Sequence, residues 1–114
     1  MKFGIIALLS VGALLAQAAT RQIVLTWEDT QNPAATTYSV YRAAGACVAP
    51  GAFTKLASGL SVKTYTDSTD PGTYCYYATA TANSLESDRS NTADAPVKPF
   101  PPAKVNVTVT VTVQ

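Results

Sequence analysis

The sequence has no histidine. That absence removes the side chain most used as a general base near neutral pH, every Ser-His-Asp or Cys-His nucleophilic site, and all imidazole metal ligands. Serines are frequent, but none sits in a Gly-x-Ser-x-Gly elbow. Charge is scarce and balanced: eight Lys+Arg stand against seven Asp+Glu in 114 residues, with no basic cluster. That balance argues against nucleic acid and against an anionic membrane surface as partners. The acidic pairs are equally uninformative. Asp67 and Asp70 are expected to flank a turn, with too few converging oxygens for calcium. Glu86 and Asp88 share one face of a polar strand and read as a solvated face rather than an acid–base pair. No catalytic residue, metal site or cofactor is therefore expected, which leaves structural and binding modules.

Long apolar runs are also lacking, with one exception. Phe3 to Ala16 follows the positive Lys2 and ends in Ala16-Gln17-Ala18, the small-x-small form that a signal peptidase accepts. It is shorter than the roughly 20 apolar residues that span a bilayer. Residues 1–18 are expected to be a signal peptide cleaved after Ala18; the competing reading is an uncleaved membrane anchor. No cysteine follows the cleavage point, so no lipid anchor is expected there. Without Lys2 the basic and acidic counts are equal at seven. The mature protein is then secreted, extracellular or at the cell surface, with the periplasm as a variant, and has no stable membrane insertion. Two cysteines in an exported chain read as one disulfide, Cys47–Cys75, against the alternative of two unpaired thiols.

What is present in abundance is Tyr, Thr and Val at period two. Thr73–Ala82 contains no Pro or Gly, follows the turn signal Asp70-Pro71-Gly72, and reads as a central strand. Its alternation puts Tyr74, Tyr76, Ala78 and Ala80 on one face and Cys75, Tyr77, Thr79 and Thr81 on the other. Further strands are expected at Gln22–Trp27, Thr36–Ala43, Ala52–Ala57, Lys63–Asp67 and Glu86–Ala93. Ser58-Gly59 is read as a turn after which Leu60 enters the core. Six short strands separated by turn signals, with no helical period, predict an all-β chain and a β-sandwich. Residues 95–102 hold four prolines and form a stiff linker near polyproline II. Residues 103–114 follow, where Val105, Val107, Val109, Val111 and Val113 alternate with Asn106, Thr108, Thr110 and Thr112, the cleanest strand pattern in the chain. Asn106-Val107-Thr108 matches a glycosylation acceptor, but its place inside a strand makes coincidence the better reading.

Taken in order, several pieces resemble a bacterial fibronectin type III domain. They are Val24-Leu25-Thr26-Trp27, Tyr38-Ser39-Val40-Tyr41-Arg42, Phe53-Thr54-Lys55-Leu56, Thr64-Tyr65-Thr66-Asp67, Gly72-Thr73-Tyr74-Cys75-Tyr76-Tyr77, Thr79-Ala80, Glu86-Ser87 and Ser90-Asn91. The resemblance spans residues 22–94 and implies an immunoglobulin-like sandwich over 19–94. Trp27, Tyr38, Val40 and Tyr74 would be core residues, Tyr74 in the family's tyrosine corner. Cys47 and Cys75 would lie on neighbouring strands. Leu85 stands where the family turns on Gly, and no Arg-Gly-Asp is present.

The family's first strand has no counterpart before Gln22, so the following strand would be left with a bare edge. The C-terminal strand is shaped like such a first strand. It is expected to complete a neighbouring subunit by donor-strand exchange, through Ile23 and Leu25 on the acceptor and Val105, Val107, Val109, Val111 and Val113 on the donor. A head-to-tail contact of this kind gives an open filament. Three other readings compete: the tail pairs within its own domain with reversed polarity, it is disordered, or the gene is a truncated multi-module protein. The functional expectation is a secreted structural or adhesion module whose partner is itself. The alternative is a monomeric module that recognises a glycan or another surface protein through Tyr41 and Tyr77.

Overall fold

A computed structural model describes residues 20–112. The expected leader, residues 1–18, and Val113 lie outside the described residues. Among those described the chain is all-β: β1 Arg21–Thr26, β2 Thr37–Ala44, β3 Thr54–Leu60, β4 Thr64–Thr69, β5 Gly72–Ala82, β6 Leu85–Glu86 and β7 Ala93–Val97. All ladders are antiparallel. β1 pairs with β4 in a two-stranded sheet, and the other sheet has the order β3-β2-β5-β6 with β7 also paired to β5. The two sheets are consistent with a β-sandwich.

β5 is the hub. It pairs with the whole of β2, from Thr81 opposite Thr37 to Tyr74 opposite Ala44, and takes β6 and β7 on its other side. Its apolar alternation is matched by β2, whose Tyr38 and Val40 face inward. Val40 and Cys75 are the largest fully buried side chains, and the remaining buried apolar residues are Tyr38, Ala43 and Tyr76. This core is small because a sheet of two strands cannot cover a sheet of five. Ile23, Leu25 and Trp27 on β1 and beyond it stay only half-buried.

Two sequence expectations need correction. First, Ser58-Gly59 does not end a strand. β3 continues through it to Leu60, and the ladder to β2 slips between Tyr38–Leu60 and Val40–Ala57. Gly59 has φ +67°, so the extra residues are absorbed as a bulge. Second, Glu86–Ala93 is not one strand. The chain leaves the ladder after Glu86 and rejoins it as β7, which runs on through Pro96 to Val97, so the first residues assigned to the linker belong to the sheet. Serines bridge the gap. Ser87 and Ser90 donate their N–H groups to Ala80 O and Ala78 O, and their hydroxyls accept from Ala80 N–H and Ala78 N–H. The backbone of β5 is thus satisfied without a continuous partner. Pro96 is tolerated because β7 is an edge.

The turn before Leu85, where the resembled family turns on Gly, is made here without one. Asn83 and Ser84 both take positive φ, 52° and 64°, as a two-residue hairpin turn of the primed kind requires. The described part of the tail raises a different matter. Among the described residues, 98–112 have no ladder partner, and the described part of the strand expected over 103–114, residues 103–112, belongs to neither sheet. A strand is stable only when its backbone groups meet a partner, and the described residues offer the tail none in place.

The expected disulfide is formed: Cys47 and Cys75 have their sulfurs 2.08 Å apart. It tethers the loop after β2 across the outer face of β5. Gly45 N–H donates to Thr73 O, Gly51 N–H to Ala44 O, and Cys47 N–H to the Asp94 carboxylate at 2.7 Å. The bridge joins residues 28 apart in sequence. Replacing both cysteines with alanine should lower unfolding stability by about 3 kcal/mol. Urea denaturation measures this, and an unchanged midpoint would mean that the loop is held by its hydrogen bonds alone.

Candidate functional site

The site is the free side of β1. Trp27 N–H donates to Lys63 O at 3.2 Å, and Leu25 O accepts from the Thr64 hydroxyl. In an antiparallel ladder, backbone groups point alternately toward and away from the partner. Residues 21, 23, 25 and 27 therefore face β4, while Gln22, Val24 and Thr26 direct their N–H and C=O groups to the opposite side. Among the described residues nothing pairs there. The side chains follow the same alternation: Gln22, Val24 and Thr26 are exposed, and Ile23 and Leu25 turn toward the other sheet.

Two separate clefts lie beside β1. One of about 390 Å³ is lined by Leu25–Glu28 together with Val40, Tyr76, Ala78, Ser90 and Ala93. The other, of about 340 Å³, is lined by Arg21–Ile23 and Ala95–Lys98. They flank the two ends of β1, and Val24 between them lines neither. Trp27 lines the first, and its buried indole N–H has no acceptor among the described residues.

The tail leaves from one end of this edge. Val97 lies opposite Gly72, and Arg21 opposite Thr69, on either side of the β4–β5 turn at Asp70–Pro71, so β7 ends where β1 begins. Arg21 grips the departing chain. Its guanidinium donates to Lys98 O at 3.2 Å and Pro99 O at 3.4 Å, and lies 4.0 Å from the centre of the Phe100 ring. Beyond it Val105, Val107, Val109 and Val111 are each between 77 % and 81 % exposed. The structure therefore does not bring these valines to Ile23 and Leu25 within one chain.

Tyr41 and Tyr77, the residues of the alternative reading, face outward on the five-stranded sheet. They are direct cross-strand partners with rings stacked at 4.6 Å, and Phe53 leans on Tyr77. Their remaining faces carry cations: Lys55 lies over Tyr41, and Arg89 over Tyr77 and Phe53. Glu86 accepts hydrogen bonds from the Tyr41 and Thr79 hydroxyls, at 2.5 and 2.6 Å. Those bonds, the Thr79 one foremost, hold the Glu86 carboxyl below its usual range, and the bond to Glu86 raises Tyr41. Glu86 is exposed, as expected of a solvated face, and also accepts from this surface ladder.

Sequence reasoning missed the charged centre of the sandwich. Asp67 is not at a turn but within β4, buried, where its Oδ2 takes Arg42 Nη1 at 2.8 Å and the Tyr76 hydroxyl at 2.7 Å. Burial, reinforced by the bond to Asp67, pushes the Tyr76 phenol well above its normal value. The signal was available: alternation puts Arg42 on the inward face with Val40, and Tyr76 with Tyr74. At the other end Asp29 caps its own loop, accepting from Gln31 N–H, Asn32 and the Tyr38 hydroxyl. These bonds, led by the Asn32 side chain, hold its carboxyl far below the ordinary carboxylate range.

Compared with protein-family models and with curated proteins, the chain matches none.

Two predictions concern the charged groups. Asp67→Ala strands Arg42 and the Tyr76 hydroxyl and should cost about 3 kcal/mol, whereas Asp67→Leu with Arg42→Met should recover much of it. A double variant no more stable than the single ones would refute the pairing in urea titrations. For Asp29 the folded pKa lies below the unfolded one, so the unfolded chain binds more protons in acid. Its contribution is complete above the unfolded pKa, about 4, and disappears as pH falls toward the depressed folded value. Asp29→Asn should therefore flatten the loss of stability between about pH 5 and pH 2; parallel acid limbs for variant and wild type would exclude this role.

Proposed function

We propose that this chain is an exported, non-enzymatic structural or adhesion module, a sandwich of fibronectin type III kind, that assembles head-to-tail by donating residues 103–114 to the open edge of β1 in the next subunit. The observation that carries the reading is that, among the described residues, β1 is paired on one side only, with clefts beside both its ends. The unpaired alternating tail is its complement in shape and in hydrogen bonding. Export is supported by the leader pattern of residues 1–18 and by a disulfide compatible with an oxidising compartment. Among the described residues no helix is long and apolar enough to cross a membrane. The fibronectin type III reading is supported by the Tyr74 hydroxyl, which donates to Asp70 O at 2.8 Å in the manner of a tyrosine corner.

The geometry restricts how the strands meet. Only Gln22, Val24 and Thr26 have free backbone groups, so they must form the hydrogen-bonded pairs. The donor residues opposite them share their outward face. Asn106 and the threonines belong in those positions, which sends the valines inward opposite Ile23 and Leu25. A shift by one residue would bury threonine and expose valine. Antiparallel addition runs from the Trp27 end of the acceptor to its Arg21 end. Because each tail leaves at an Arg21 end, subunits then stack in one direction and the contact repeats without closing. Each buried valine contributes about 1.5–3 kcal/mol, less the cost of ordering the tail.

The alternative, a monomeric module that recognises glycans through Tyr41 and Tyr77, is less well supported. Both rings stack on each other, and their outer faces lie under Lys55 and Arg89.

Light scattering of the mature, oxidised protein across a dilution series tests the proposal. Mass should rise with concentration, and deletion of residues 103–114 should leave a monomer at every concentration. Oligomers that survive the deletion, or a wild-type monomer throughout, would sink it.

A further inference from the structure

Resting on the strand-donation reading, we infer that one register governs it: Lys104 of the donated tail sits opposite Glu28 of the acceptor, which brings Asn106 opposite Thr26, Thr108 opposite Val24 and Thr110 opposite Gln22. The two segments carry little charge, and what they carry is at their ends. The edge from residue 20 to 28 has Arg21 near its start and Glu28 at its finish, and the tail from 104 to 112 has Lys104 alone, at its start. Glu28 and Lys104 are both exposed, and among the described residues neither has an ion-pair partner. Trp27 N–H still donates to Lys63 O, so the ladder course reaches the residue before Glu28. Period two then places Glu28 on the outward side with Gln22, Val24 and Thr26.

Chemistry opposes the other arrangements of matching parity. Parallel addition would bring Lys104 beside Arg21, like charge against like, and leave Glu28 facing uncharged residues. Sliding the antiparallel tail so that Lys104 meets Thr26 would carry Pro102 to Glu28, a ladder position that its missing N–H and fixed φ cannot serve. Sliding it the other way puts Asn106 opposite Glu28 and sends Lys104 past the edge into the following loop. There the Asp29 carboxylate already accepts from Gln31, Asn32 and Tyr38. The Glu28–Lys104 register keeps Pro102 outside the ladder and sets opposite charges across from each other, a cross-strand pairing that stabilises a sheet. It also divides the four described valines evenly. Val105 and Val107 come opposite Trp27 and Leu25, which line the larger cleft, and Val109 and Val111 opposite Ile23 and Arg21, which line the smaller. Thr108 meets Val24, which lines neither.

Cysteine pairing in the full mature chain reads the register. In a hydrogen-bonded antiparallel pair the Cα atoms lie about 5.5 Å apart, within reach of a disulfide, whereas a slip of two residues takes them to about 9 Å, which is too far. Thr26→Cys with Asn106→Cys should therefore cross-link on air oxidation into covalent multimers on a non-reducing gel. Val24→Cys with Asn106→Cys, or Thr26→Cys with Thr108→Cys, should not. By light scattering, Glu28→Lys and Lys104→Glu should each raise the concentration of half-assembly about fivefold, a change of about 1 kcal/mol, and the two together should restore it. Val24, Thr26 and Glu28 are exposed and the described tail is unpaired, so these changes leave the core intact. If either slipped pair links instead, if no pair links while wild type assembles, or if the double reversal stays as weak as the single ones, the register is wrong although strand donation stands. If the Thr26→Cys, Asn106→Cys link closes within one chain, the register stands and the head-to-tail reading falls. If wild type is a monomer at every concentration and no pair links, strand donation itself is wrong, and the register with it.

Discussion

The structure depends on one imbalance: β1 has a hydrogen-bonding partner on one side and none on the other among the described residues. A sheet of two strands lies against a sheet of five. Much else follows. The apolar face of β1 is half-buried because no described residue flanks it, the centre holds few fully buried side chains, and a cleft opens beside each end of the strand. An isolated pair of strands is marginal in water, so β1 and β4 rely on what crosses to the larger sheet.

What crosses is mostly polar. Asp67 on β4 accepts from Arg42 on β2 and Tyr76 on β5, so one carboxylate joins three strands in two sheets. Asp29 holds the Tyr38 hydroxyl, whose ring meets Trp27 edge-on at 5.7 Å. Such contacts are directional where apolar packing is not. They fix the spacing of the sheets while the flank stays open, a useful property in a module proposed to receive a strand there. The disulfide does related work on the far face, where it ties the loop after β2 to a wholly buried position on β5.

In the proposed assembly the edge and the tail are two halves of one arrangement. The edge presents backbone groups at Gln22, Val24 and Thr26 and apolar side chains between them. The tail presents the same period, with Val105, Val107, Val109 and Val111 exposed. In that assembly each would satisfy the other.

Period-two patterns carry the strands, because alternation of side chains is a property of the local backbone and needs no partner to be read. The central strand, the inward Tyr38 and Val40 and the two cysteines were legible for that reason. The divided last strand was not, since it rests on Ser87 and Ser90 hydroxyls that stand in for backbone groups across 7 and 12 residues. The buried Asp67 was read as a turn residue because a carboxylate's environment comes from strands distant in sequence. The grip of Arg21 on a segment 77 residues away has no local signature at all. The sequence by itself determined which residues face which side of each strand, because that follows from bond geometry. Only the tertiary structure decided which backbone groups of the described residues remain unpaired and what Asp67 and Arg21 meet, because both are set by where distant segments come to lie.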